Sequence, residues 1–247
     1  MKSLFETTKN EWEILAKLDP LWAILGENNK RFKRWELNRF FATGEKEIDS
    51  VISYLQKRKI LLKNINIVLD FGCGVGRLTR ALAKHFPKVY GIDISEQMIK
   101  KAKKLNQEYK NCYFTVNKND YLLDFPDNHF DFIYSNNVLQ HFHSKKAILK
   151  QISDFIRVLK PAGIALFQLP SNLPFLVRLH PRRRLYDLLK RLGLKETFLY
   201  NNLSIYGYSM ISVSVDEVKK IANNNNFKIV DIVNKQTIHT TYLLQKL

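Results

Sequence analysis

The chain has 247 residues, 45% of them hydrophobic, and its 40 lysines and arginines against 23 acids give a formal charge of +17. A chain of this length suits one domain with appended pieces and buries roughly 70–75% of its unfolded surface, so no partner is needed to complete a core. No apolar run approaches the ~18 residues of a membrane span, the start Met1–Glu6 lacks the apolar stretch of a secretory signal, and Cys73 and Cys112 are too few for a disulfide framework, so a soluble cytoplasmic protein is expected.

Residues 1–63 read as a helical N-terminal extension. Phe5, Trp12, Leu15, Ala16 and Leu18 mark one apolar face, and after Asp19-Pro20 the stretch Glu45–Arg58 repeats the helical spacing with Ile48, Val51, Ile52 and Leu55. Between them, Arg31–Gly44 mixes aromatics, arginines and a glycine, which suits either a cap over a crevice or helix packing with a solvated basic face. From residue 64 to 247 apolar strands alternate with helices: strands over 65–70, 88–93, 112–117 and 130–135, helices over 76–85 and 95–107, then a helix over Ala147–Leu159 and a strand over Ile164–Leu169. That alternation predicts an α/β, Rossmann-like sheet, mostly parallel, with helices on both faces.

A basic helical segment is inserted at about 171–210. Ser171–Asn202 holds seven arginines and lysines against Asp187 and Glu196, and Arg182-Arg183-Arg184 leads a helix with Leu185, Leu188, Leu189 and Leu192 on one face. It reads as a lid or docking surface for a phosphorylated or membrane-embedded acceptor, or else as a surface helix packed over the sheet. A helix over Val215–Ala222 and strands over Phe227–Val233 and Thr240–Gln245 close the pattern, with Asn223–Asn226 in the place of a glycine stop.

The most informative run is Val68-Leu69-Asp70-Phe71-Gly72-Cys73-Gly74-Val75-Gly76-Arg77, an apolar strand ending in an acid and a glycine-rich turn. Glycines at alternate positions strip Cβ atoms from the place where a ligand would meet backbone, and the helix that follows points its first amides at the same crevice. A dinucleotide fingerprint needs a glycine three residues after Gly74, and Arg77 stands there instead. Asp70 would lie close to a pyrophosphate but pairs well with an ammonium group, so a cationic, amino-acid-bearing nucleoside fits better.

This run resembles the first motif of the class I S-adenosylmethionine-dependent methyltransferases. The resemblance continues in order through Val89–Ser95, Asn119-Asp120, Phe130–Asn136 and Val158–Gly163, and covers roughly residues 64–170. It implies a seven-stranded sheet with an antiparallel C-terminal edge, S-adenosylmethionine as cofactor and S-adenosylhomocysteine as product. By the same resemblance Gly72 and Gly74 line the cofactor, Asp70 helps to place its methionine part, Asp93 accepts from both ribose hydroxyls, and Ile94 packs on the adenine. Asp70 also reads as an acid held by exposed helix amides. Alignment on Phe130-Asp131 puts Asn119 rather than Asp120 at the family's usual acid near the adenine amino group, and either side chain can accept from it.

Ser135–Phe142, with Asn136 at its start, leaves the sheet beside the expected sulfonium. His141 is the candidate base for an acceptor hydroxyl, because histidine titrates near neutral pH; His143 is a weaker candidate, and packing is the competing role for both. The six histidines are not spaced as a ligand set, so no metal is expected. Asn136-Asn137-Val138-Leu139 departs from the Asn/Asp-Pro-Pro-aromatic motif of many base-directed methyltransferases. The expected reaction is methyl transfer to O or N of a small metabolite, sugar or lipid-linked glycan, with an anionic acceptor and peripheral membrane contact suiting the charge. An RNA methyltransferase and a non-catalytic cofactor-binding protein are the alternatives.

Overall fold

The computed structural model describes residues 4–119, 122, 124–207 and 209–247. Its helices are α1 (Leu4–Leu18), α2 (Pro20–Ile24), α3 (Leu37–Lys57), α4 (Arg77–Leu82), α5 (Glu96–Leu105), α6 (Lys145–Val158), α7 (Phe175–Arg178), α8 (Pro181–Arg191), α9 (Glu196–Leu203) and α10 (Val215–Asn224). Its strands are β1 (Ile67–Phe71), β2 (Lys88–Asp93), β3 (Cys112–Val116), β4 (Phe130–Ser135), β5 (Leu159–Gln168), β6 (Phe227–Val233) and β7 (Thr241–Lys246). None of these helices is long and apolar enough to cross a membrane.

The strands form one seven-stranded sheet in the order β3-β2-β1-β4-β5-β7-β6. β1 to β5 run parallel, and β7 runs antiparallel to both β5 and β6. β1 reads as an unbroken apolar run because helices cover both faces of the sheet at its centre, burying Val68 to Phe71 without alternation. The strand order reverses between β1 and β4, so the crevice for a ligand opens at the carboxyl ends of those two strands.

Side chains cap the helices that frame this crevice. Ser95 accepts from the Met98 amide at 3.1 Å to start α5, Ser144 accepts from the Ala147 amide at 3.1 Å to start α6, and Ser214 and Glu217 form a reciprocal capping box on α10. Asp19 accepts from the Trp22 amide at 3.5 Å at the start of α2, and also from the Lys33 amide at 2.8 Å and the Tyr200 hydroxyl at 2.9 Å. One buried carboxylate therefore joins α2, the following loop and α9.

α3 begins eight residues before the expected Glu45 and runs through Gly44. Gly44 is where α3 crosses α4: a Cβ there would lie 2.5 Å from the Arg77 carbonyl oxygen. Alanine favours a helix over glycine by about 1 kcal/mol, but backbone cannot swing away as a side-chain tip can. Gly44→Ala is therefore expected to destabilise the protein by about 1–3 kcal/mol in denaturant melts. β5 also begins five residues before the expected Ile164, at Leu159. The Pro161-Ala162-Gly163 stretch is absorbed as an irregularity in the β4–β5 pairing, with Ala162 in the left-handed region. Lys160 anchors that end on Asp131 at 2.8 Å, and Asp131 also accepts from the Asn66 and Ile67 amides at 3.0 and 2.8 Å.

Candidate functional site

A cleft of about 1030 Å³, open to solvent at its mouth, lies at the carboxyl ends of β1, β2 and β4. Gly72, Gly74, Asp93, Ile94, Asn119, Asn136 and His141 all line it. Asp120 lies outside the described residues.

The turn after β1 is built by two glycines with positive φ, +78° at Gly72 and +54° at Gly74. Their bareness serves the protein's own packing: a Cβ on Gly72 would lie 2.3 Å from a Val138 methyl, and one on Gly74 would lie 2.5 Å from Ile24 Cδ1. The amides of Gly72 and Cys73 both donate to the Ile92 carbonyl at 2.8 Å, which joins the turn to the end of β2. One residue on, the Gly74 amide donates to Asp93 Oδ2 at 2.9 Å and the Ser95 amide donates to Oδ1 at 2.9 Å. Gly74 and Asp93 thus meet on one lip of the cleft. Burial pushes the Asp93 carboxyl up to about 6, against the pull of the Ser95 and Gly74 amides.

Asp70 is placed differently from its neighbours. It is buried beneath the turn, does not line the cleft, and accepts from Thr79 Oγ1 at 2.6 Å. Burial raises its carboxyl to about 7, against the pull of the Thr79 hydrogen bond and the Arg77 charge. Its contact is with α4, and its nearest role is to hold the turn.

His141 lies on the wall facing α1. Its Nδ1 is 3.0 Å from the Ser209 carbonyl oxygen, which accepts but cannot donate, so Nδ1 carries the proton and Nε2 is the basic nitrogen. The Trp12 ring meets it edge to face at 5.2 Å, and burial lowers its pKa to about 4. Phe5, Thr8 and Trp12 of α1, with Val138 and Phe142, give this side of the cleft an apolar lining.

A polar network on the opposite side carries a site residue that sequence reasoning missed. Arg77 Nη2 donates to Glu47 Oε2 at 2.9 Å, and Glu47 Oε1 accepts from the Tyr134 hydroxyl at 2.8 Å and from Asn136 Nδ2 at 2.6 Å. Glu47 lies on α3, distant in sequence from its three partners, so no local motif announces it. Arg77 has the one visible signal, a charged residue directly after the turn. Its Nε is buried without a hydrogen-bond partner among the described residues, although the side chain lines the cleft. A ligand carboxylate would satisfy that donor. Together with a carboxylate suited to a pair of hydroxyls and an apolar slot at Ile92 and Ile94, it fits an amino-acid-bearing nucleoside.

Known proteins point the same way. Residues 69–167 match the family described as a methyltransferase domain. A 2-methyl-6-phytyl-1,4-hydroquinone methyltransferase of Synechocystis is 39% identical over 98 residues, which cover 39% of this chain and 30% of that protein. A demethylmenaquinone methyltransferase of Geobacillus stearothermophilus is 33% identical over 129 residues, covering 47% of this chain and 54% of that protein. The chain thus spans about a third to a half of the length of these curated relatives. The magnesium protoporphyrin IX methyltransferase of Synechocystis PCC 6803, solved with bound S-adenosylmethionine, superposes with a TM-score of 0.64 over 100% of this chain and 99% of that one, at 19% identity. At that identity the likeness is one of fold. Residues 69–167 therefore match a methyltransferase domain in sequence, and the strand order that carries them is that of the same fold.

Proposed function

We propose that the chain transfers a methyl group from S-adenosylmethionine to an oxygen atom of a small molecule with an apolar body, a lipid-linked acceptor in preference to a free sugar. The observation that carries this reading is the meeting of the Gly74 amide and the Asp93 carboxylate on one lip of a cleft whose far wall is apolar. In this reading Asp93 accepts from the ribose hydroxyls, Ile94 packs on the adenine, Asn119 accepts from its amino group and Arg77 Nε donates to the methionine carboxylate. Bound in that way, the cofactor supplies an electrophilic methyl group on a sulfonium.

The protein's own part in the chemistry is alignment and proton removal. Holding acceptor and methyl in line supplies much of the rate, and Phe5, Trp12 and Phe142 offer the apolar surfaces that would hold the acceptor's body. As a hydroxyl is methylated its oxygen becomes strongly acidic, and a neutral imidazole with a pKa of about 4 still takes that proton at Nε2. The named relatives act, by their names, on quinone-class molecules, and such ring-bearing acceptors suit this lining better than a sugar does.

His141→Ala is expected to leave S-adenosylhomocysteine affinity within about twofold while kcat falls about a hundredfold, the usual contribution of a positioned base. Normal turnover in that variant would remove the proposed role. For the acceptor class, labelled cofactor is offered to cell extract divided into lipid, small-metabolite and nucleic-acid fractions. Label in the lipid fraction is expected, and label confined to nucleic acid would overturn the reading.

A further inference from the structure

α8 presents its apolar side to water. Its inward side carries the buried Tyr186 and charges that are already paired: Arg183 bonds Glu11 of α1, Asp187 and the Gly207 carbonyl, and Lys190 bonds Glu196 of α9. Its outward side carries Leu185, Leu188 and Leu192, which are 44%, 54% and 68% exposed. In the preceding α7, Phe175 is 72% exposed and Leu176 71%. The leucine face foreseen in the sequence therefore does not pack over the sheet. Arg182, Arg184 and Arg191 are exposed among these apolar side chains and form no ion pair with the described residues.

We infer that the outward face of α7 and α8 docks on an anionic lipid surface. The charge selects that occupant. A second copy of the chain placed symmetrically on this face would bring the three arginines against their own mates. A nucleic acid would take the arginines but leave the leucines and Phe175 in water. Anionic headgroups satisfy the guanidinium groups while the leucines and Phe175 enter the acyl boundary, the arrangement of an interfacial amphipathic helix. On the opposite, inward side the Arg183–Glu11 bridge ties α8 to α1, the helix whose Phe5, Thr8 and Trp12 line the cleft. A docked α8 therefore holds the acceptor wall near the lipid, although the docking itself stands apart from the methyl-transfer reading.

The test is co-sedimentation of the full chain with vesicles of phosphatidylcholine alone and of phosphatidylcholine mixed with phosphatidylglycerol. Binding is expected on the anionic vesicles only, with loss at high salt. Each arginine at such a surface is worth roughly fivefold in affinity, so the triple variant Arg182→Gln, Arg184→Gln, Arg191→Gln is expected to bind about a hundredfold more weakly. Leu185→Ser, Leu188→Ser, Leu192→Ser together are expected to abolish retention with no fall in melting temperature, because these side chains are exposed. Absence of binding to anionic vesicles overturns the inference, as does unchanged binding by either triple variant. Retention on RNA without retention on vesicles overturns it too, as does a dimer that the leucine variant dissociates in place of vesicle binding.

Discussion

Asp93→Ala is expected to weaken S-adenosylhomocysteine binding about a hundredfold, measured by titration calorimetry. The Gly74 and Ser95 amides hold the carboxylate from behind, and its remaining lone pairs lie at the lip of the cleft. A hydrogen bond to a charged acceptor is worth about 1.5–3 kcal/mol, so losing two from a ribose removes about 3 kcal/mol, or roughly two powers of ten. Asp93→Asn keeps the shape but sets its NH2 against the Gly74 or Ser95 amide, and a loss of at least about tenfold is expected from the missing charge and that lost hydrogen bond. The pH dependence has a definite sign. With the carboxyl raised to about 6, the ionised form that accepts both hydroxyls prevails above that value, and affinity should fall as pH drops through it. Binding near pH 6 should then release protons, which appears as heats that depend on the buffer. Unchanged affinity in the alanine variant would remove the ribose contact.

The second large effect belongs to Arg77. Its side chain is 5% exposed and its partner Glu47 23%, so this is a buried pair with little water to replace a lost member. Removing one member of such a pair costs about 3–5 kcal/mol. Arg77→Met is expected to lower the melting temperature by roughly 6–20 °C, since each kcal/mol shifts a chain of this size by about 2–4 °C. It should also lower S-adenosylhomocysteine affinity, because Nε is the donor proposed for the methionine carboxylate. The double variant Arg77→Met, Glu47→Met separates the two roles. With no orphaned charge left, stability should recover in part while affinity stays low. Recovery of affinity along with stability would show that Arg77 acts only through Glu47.

The parts of this architecture visible in the sequence are those whose physics is local. Lys88–Asp93, Phe130–Ser135 and Phe227–Val233 are short apolar runs between polar breaks, and they form strands at the expected residues. The glycine-rich turn and Asp93 announced themselves by spacing, although the reason for the glycines did not. Val138 and Ile24, which fill the space a Cβ would take, arrive from distant parts of the chain. The start of α3 was hidden because Glu36 caps it with no side-chain hydrogen bond, and Gly44 looks like a stop until Arg77 is seen against it. The early start of β5 was masked by Pro161 and Gly163, which a strand tolerates there only at an irregular pairing. Glu47 was illegible for a different reason. A carboxylate on a helix reads as solvated until the fold brings an arginine, a tyrosine and an asparagine to it. In α8 the periodicity was plain, but periodicity alone does not say which side of a helix meets the protein.

The place of β7 bears on how the polypeptide matures as it is made. Tyr242, Leu243 and Leu244 are fully buried between β5 and β6, yet they come after every other described strand of the sheet in chain order. During synthesis the flank of β5 that they will cover stays unpaired until residue 246 has left the ribosome, and β6 has no neighbour to join before then. An open apolar flank of this kind invites strand addition by other nascent chains. Between release of residue 233 and residue 246 both that flank of β5 and the whole of β6 are therefore unpaired at once.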